Sequence, residues 1–195
     1  MQRRRLAFLL IAVSVFSLRV TAQSTPASIH LHLDPATTEV HFALKSTLHT
    51  VHGSFHMDSG EITVAPSTGE AQGRIAININ SGISGNETRD NRMKREILEA
   101  TSFPVAAFEA RKVRGLNTTA STQTITVEGT LTLHGTAHPM TLQLAVTLNG
   151  VRASATGSFR IPYVAWGIKA PSVPFIHVEK EVTVDLIAKG TLQIQ

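Results

Sequence analysis

EGTLTLHGTAHPMTLQLAVTLNG, residues Glu128 to Gly150, is the stretch whose reading decides the fold. On its leading side Ile125, Val127, Leu131 and Leu133 share one parity, against Thr124, Thr126, Thr130 and Thr132 on the other. On its trailing side Met140, Leu142, Leu144, Val146 and Leu148 oppose Thr141, Gln143, Ala145, Thr147 and Asn149. Period two over this length means β-strands with one apolar and one solvated face. His134-Gly135-Thr136 supplies the turn, and Pro139 fits only near a strand start or at an edge. The unit is a long antiparallel hairpin.

The same alternation extends outward in both directions. Ile29, Leu31 and Leu33 mark a first strand, Asp34-Pro35 a turn, and Val40, Phe42 and Leu44 a second strand. The pattern continues with breaks from Leu48 to Met57, where Gly53 suggests a bulge or a tight bend, and Ser59-Gly60 leads into Ile62 and Val64. Ile75, Ile77 and Ile79 follow, and later strands are predicted over Val105–Arg114, Gln123–Leu133, Met140–Leu148, Val151–Ile161 and Glu181–Lys189. One stretch departs from this rhythm. NETRDNRMKREILEA, Asn86 to Ala100, carries Met93 and Ile97 at helical spacing, with Asn86 or Thr88 as cap and Phe103-Pro104 as terminator. Roughly nine strands and one helix leave a sandwich and a closed barrel both open, since aliphatic faces suit either a hollow interior or a packed one.

The chain has 195 residues, 42% hydrophobic and 16% charged, enough for one domain with a substantial core. Its positive balance is concentrated at the start: Arg3, Arg4, Arg5 and Arg19 lie within the first 22 residues. Without those four, the remaining basic residues equal the acidic ones, and broad nucleic-acid binding loses its support. The basic start, the apolar run Leu6–Leu18 and the small residues around Val20-Thr21-Ala22 read as a cleavable secretory signal over 1–22, followed by a linker, 23–28, and one domain, 29–195. The run is too short to span a bilayer, so no stable membrane span is expected after cleavage. Cysteine is absent, and an exported domain of this size without disulfides points to a bacterial periplasm or exterior.

In order along the chain, LDPATTEVHFALKSTLHTVHGSF (Leu33–Phe55), Gly60-Glu61-Ile62, Arg89-Asp90, Phe103-Pro104 with Phe108, Gly129 to Gly135, and FRIPYVAWGIKAPSVPF (Phe159–Phe175) followed by EVTVDL resemble the YceI family, the polyisoprenoid-binding or lipocalin-like domain. The resemblance covers nearly all of the chain beyond the signal. It implies an all-β fold: an extended antiparallel up-and-down β-barrel of about eight strands, with one α-helix near one end and a long apolar tunnel. It further implies an isoprenoid or other lipid as ligand, and export to the periplasm, in agreement with the signal.

On that implication, the apolar parities nominate Phe42, Leu44, Ile77, Phe108, Leu131, Leu133, Leu142, Leu144 and Phe159 as tunnel lining. Arg89 and Arg92, at the start of the helix after a Gly/Ser loop, are candidates for a phosphate or pyrophosphate headgroup, against a solvated helix face with Arg89–Asp90 pairing to a neighbouring loop. Trp166, among turn residues, either touches the ligand or anchors its loop. His49, His52 and His56 do not share one strand face, and no Cys accompanies them, so neither metal nor cofactor is expected. There is no nucleophile elbow, no phosphate-cradling loop with Lys and no telling carboxylate pair, so an enzyme is not expected. The expected function is a periplasmic or secreted carrier that transports, stores or sequesters a long apolar lipid. The other reading is a stress-associated interaction protein with a packed barrel and no lipid. A homodimer is compatible with either, and nothing in the sequence specifies one.

Overall fold

The computed structural model describes residues 28–172 and 174–195. The expected signal, 1–22, and nearly all of the linker lie outside them. Nine strands form one antiparallel sheet: β1 (Ile29–Leu33), β2 (Glu39–Lys45), β3 (Thr50–Val64), β4 (Ala71–Ile83), β5 (Val105–Arg114), β6 (Thr122–Leu133), β7 (Thr136–Asn149), β8 (Arg152–Ile161) and β9 (Val182–Ile194). The sheet closes on itself, because β3 pairs with β4 and both β1 and β2 bridge β3 to β9. β1 and β2 occupy one lane, the first against Glu61–Val64 of β3 and the second against Thr50–Phe55, so nine strands make an eight-stranded barrel. A barrel of this size has an interior that side chains can fill or one small ligand can occupy. Every strand has partners on both sides, β7 along only part of its length, and the sandwich is excluded.

The interruption between β1 and β2 is a side-chain-stabilised turn. The Asp34 carboxylate accepts from the Ala36 amide at 2.9 Å and the Thr37 hydroxyl at 3.0 Å. The central hairpin forms as read, with β6 and β7 paired from Leu133 opposite Thr136 to Thr122 opposite Thr147. Its turn is the two residues His134 and Gly135, with φ of 52° and 76°, the left-handed pair that a tight hairpin requires. Pro139 is well inside β7, yet it lies at a local edge. The paired register of β7 with β8 runs only from Asn149/Arg152 to Ala145/Thr156, so no β8 ladder bond is needed from Pro139.

Two sequence expectations change. Ser59-Gly60 does not open a new strand: β3 runs unbroken for 15 residues, with its irregularities between Ser54 and His56 and between Met57 and Ser59 rather than at Gly53. Gly60 leaves room for the Leu33 side chain instead of making a turn. The helix expected over Asn86–Ala100 is α-helical only for α1 (Glu87–Arg92), capped by the Asn86 side chain, and continues as a π-helical turn over Met93–Ile97.

Inside the barrel the two halves differ. At the end away from α1, Ile29, Val64, Phe108, Val113, Ile125, Val127, Leu142, Leu144 and Val146 form a packed cluster, with Leu116 of the β5–β6 loop against it. Towards α1 a second cluster, built on Val40, Ile161, Tyr163, Ile168 and Val184, surrounds open space.

A half-barrel cavity under the helix

The open space is a cavity of about 630 Å³. Its walls come from alternate residues of seven strands: Val40, Phe42 and Leu44 of β2, Val51 and Phe55 of β3, Ile77 and Ile79 of β4, Ala106 of β5, Leu131 and Leu133 of β6, Phe159 and Ile161 of β8, and Val182 and Val184 of β9. Each set keeps the period of two that sends alternate side chains inward. Met93, Ile97 and Leu98 of the helical segment form part of the roof, and Tyr163, Ile168, Pro171, Ile176 and Val178 of the β8–β9 connection form the rest. The floor is formed by Leu131 and Phe159, which pack against both interior clusters, backed by Leu186.

Polar groups gather on one side of the mouth: Ser46, His49, Ser84, Asn86, Thr88, Arg89 and Arg92. The Arg89 guanidinium donates through Nε to the Ser84 hydroxyl at 2.7 Å and through Nη2 to the Ser84 carbonyl at 2.7 Å. The same hydroxyl donates to the buried Asp90 carboxylate. Burial by itself would raise the pKa of Asp90. The hydrogen bonds from Ser84 and the charges of Arg89 and Lys94 outweigh it and hold the carboxyl below its usual value. Arg92 donates to Glu96 at 3.2 Å and to the Ser172 carbonyl at 3.0 Å, tying the helix to the β8–β9 connection. Tyr163 donates its hydroxyl to the Glu179 carbonyl at 2.7 Å, and burial, followed by the Glu179 charge, raises its pKa.

Of the residues nominated from sequence, the structure gathers Phe42, Leu44, Ile77, Leu131, Leu133, Phe159, Arg89 and Arg92 around the cavity. Phe108, Leu142 and Leu144 point inward but belong to the packed half, so they do not line it. The long tunnel implied by the resemblance is therefore a cavity confined to one half of the barrel. Trp166 does not line it either. Its ring stacks on His138 of β7, with centroids 3.9 Å apart and planes within 2°. It packs against the second cluster on the side where the β7–β8 register has ended, and so covers that seam. Val40, Ile79 and Ile161 share the parity of nominated neighbours and were within reach of the same signal. Ala106 is small, and Tyr163 and Ile168 lie in an irregular connection without a period. Among the described residues no group of three or more His, Asp or Glu stands close enough to hold a metal ion, and no helix is long and apolar enough to cross a membrane.

A model of the YceI-like domain matches residues 31–189. Among solved structures, the chain is similar to BcnA of Burkholderia cenocepacia, at 18% identity over 80% of this chain and 98% of that one, with a TM-score of 0.67. It is also similar to a polyisoprenoid-binding domain from Saccharophagus degradans implicated in plant cell wall breakdown, at 19% identity over 84% and 98%, with a TM-score of 0.62. A YceI protein of Campylobacter jejuni matches at 18% identity over 72% and 84%, with a TM-score of 0.57. At these identities the likeness shows the fold alone. No curated protein matches the chain.

Proposed function

The chain belongs to the YceI-like family, and from that premise we propose that it is an exported lipid-binding protein whose half-barrel cavity holds the apolar chain of an isoprenoid or related lipid. One observation carries this reading: a cavity of about 630 Å³ with aliphatic and aromatic walls inside a closed barrel. A pocket of this size and lining is typical of small-molecule sites. Moving each CH₂ from water into it contributes on the order of 0.8 kcal/mol, so affinity comes from the apolar chain, with no need for polar contacts along its length. The polyisoprenoid-binding domain of Saccharophagus degradans, which shares the fold, supports the ligand class. Binding rather than catalysis is the role such a cavity serves best, with transport, storage or sequestration as its use. Export is proposed from the basic start, apolar run and small residues of the first 22 positions.

Arg89 and Arg92, the two cations at the rim of the cavity, are proposed to receive an anionic headgroup. Calorimetric titration of the wild type and of an Arg89→Ala/Arg92→Ala variant, each with a prenol and with the matching prenyl phosphate, tests both parts. Both ligands are expected to bind the wild type, and the variant is expected to lose roughly tenfold or more for the phosphate alone. If neither ligand binds the wild type, the carrier reading fails. Equal losses for the two ligands would remove the headgroup role and leave the cavity reading standing.

A further inference from the structure

The barrel is hollow at one end and solid at the other. Ile29, Val64, Val113, Val127 and Val146 of the far half are each less than a tenth exposed, and Leu116 packs against that cluster from the β5–β6 loop. Leu131 and Phe159 lie between the halves, each lining the cavity and packing on the solid side. Two further contacts hold the solid half. The Phe108 ring lies against Gly129, and the Leu144 side chain against Gly157, where a Cβ would collide with each. Interiors packed in this way do not yield space without strain.

We infer that this floor makes the protein a length-limited binder, which buries the apolar chain tail-first and stops it at Leu131 and Phe159. The inference rests on the lipid-binding reading above and adds to it a chain-length class and an orientation. A methylene group is about the size of a water molecule, whose share of liquid volume is roughly 30 Å³. A cavity of about 630 Å³ therefore accommodates on the order of twenty carbons, the size of a diterpenoid chain. Orientation follows from polarity: the floor is apolar, whereas Ser46, His49, Ser84, Arg89 and Arg92 stand at the mouth. A polar head directed at the floor would lose its water without gaining partners. The carbons of a longer polyisoprenoid beyond this length stay outside the cavity and add nothing to affinity.

The test is a prenol series, geraniol, farnesol, geranylgeraniol and a nonaprenol, each measured by displacement of one fluorescent apolar probe from the full mature chain. Each added isoprene unit up to geranylgeraniol is expected to tighten binding by at least about tenfold. The nonaprenol is expected to bind within about twofold of geranylgeraniol, because the extra units stay in water. In Phe159→Ala the opened floor moves the plateau to longer chains. In Ala106→Phe the added ring, on a wall residue of the cavity, moves it to shorter ones. Affinity that keeps rising by the same factor from geranylgeraniol to the nonaprenol in the wild type would overturn the length limit and leave lipid binding intact. Failure of every prenol to displace the probe would overturn both. The wild-type series decides even if one of the variants does not fold.

Discussion

Asp90 is the residue on which the cavity mouth turns. Its carboxylate is buried, takes the Ser84 hydroxyl, and through Ser84 is coupled to the Arg89 guanidinium. The Arg89-Asp90 pair in the sequence thus sets the entry to α1, and Arg89 meets the cavity as a partner of Ser84 as well as a cation. Removing the carboxylate in Asp90→Ala leaves the Ser84 hydroxyl and Arg89 without it. Chemical denaturation should then show a loss of about 1–3 kcal/mol near neutral pH. The pKa of Asp90 is lowered in the fold, so its contribution is fully present above the ordinary carboxylate range. That contribution is lost as pH falls towards and through the lower folded value. The stability gap between wild type and Asp90→Ala should therefore close on acidification. A gap that stayed constant, or widened, as pH fell would contradict the assignment.

At the scale of elements, period two separates inward from outward side chains but carries no information on depth. Leu133 and Leu142 follow the same alternation and both face the interior, yet one lines the cavity and the other the solid half. Strand tilt and stagger around the closed barrel decide that difference, and no single strand encodes them. The helix was legible from Met93 and Ile97, but not its change to π-helical winding over Met93–Ile97, which that spacing does not mark. Ser59-Gly60 leads into Ile62 and Val64 without ending β3, and what the glycine supplies there is space for Leu33. Gly129 acts in the same way beneath Phe108, so Gly129→Ala must shift a buried ring and crowd the Glu109 carbonyl. Its expected cost is about 1–3 kcal/mol in denaturant unfolding, whereas Ser158→Ala, at an exposed position of β8, should stay within about 0.5 kcal/mol. Equal costs would mean that the solid half is not tightly packed.

Taken whole, the molecule divides its interior between two tasks. The far half supplies a dry core that holds the closed sheet together, and the near half keeps an apolar space beneath a helix and a long connection. Trp166 on His138 covers the seam where β7 and β8 part, behind the residues that line the cavity. Aliphatic composition alone could not separate a hollow barrel from a packed one, because this barrel is both. The most direct measurement of the central claim is native mass spectrometry of the protein purified from the exporting host, with analysis of its solvent extract. The expected result is a chain beginning at Gln23 that carries one apolar lipid, with the same species recovered in the extract. A protein that is empty as purified, and stays empty when offered prenols and prenyl phosphates, would contradict the account.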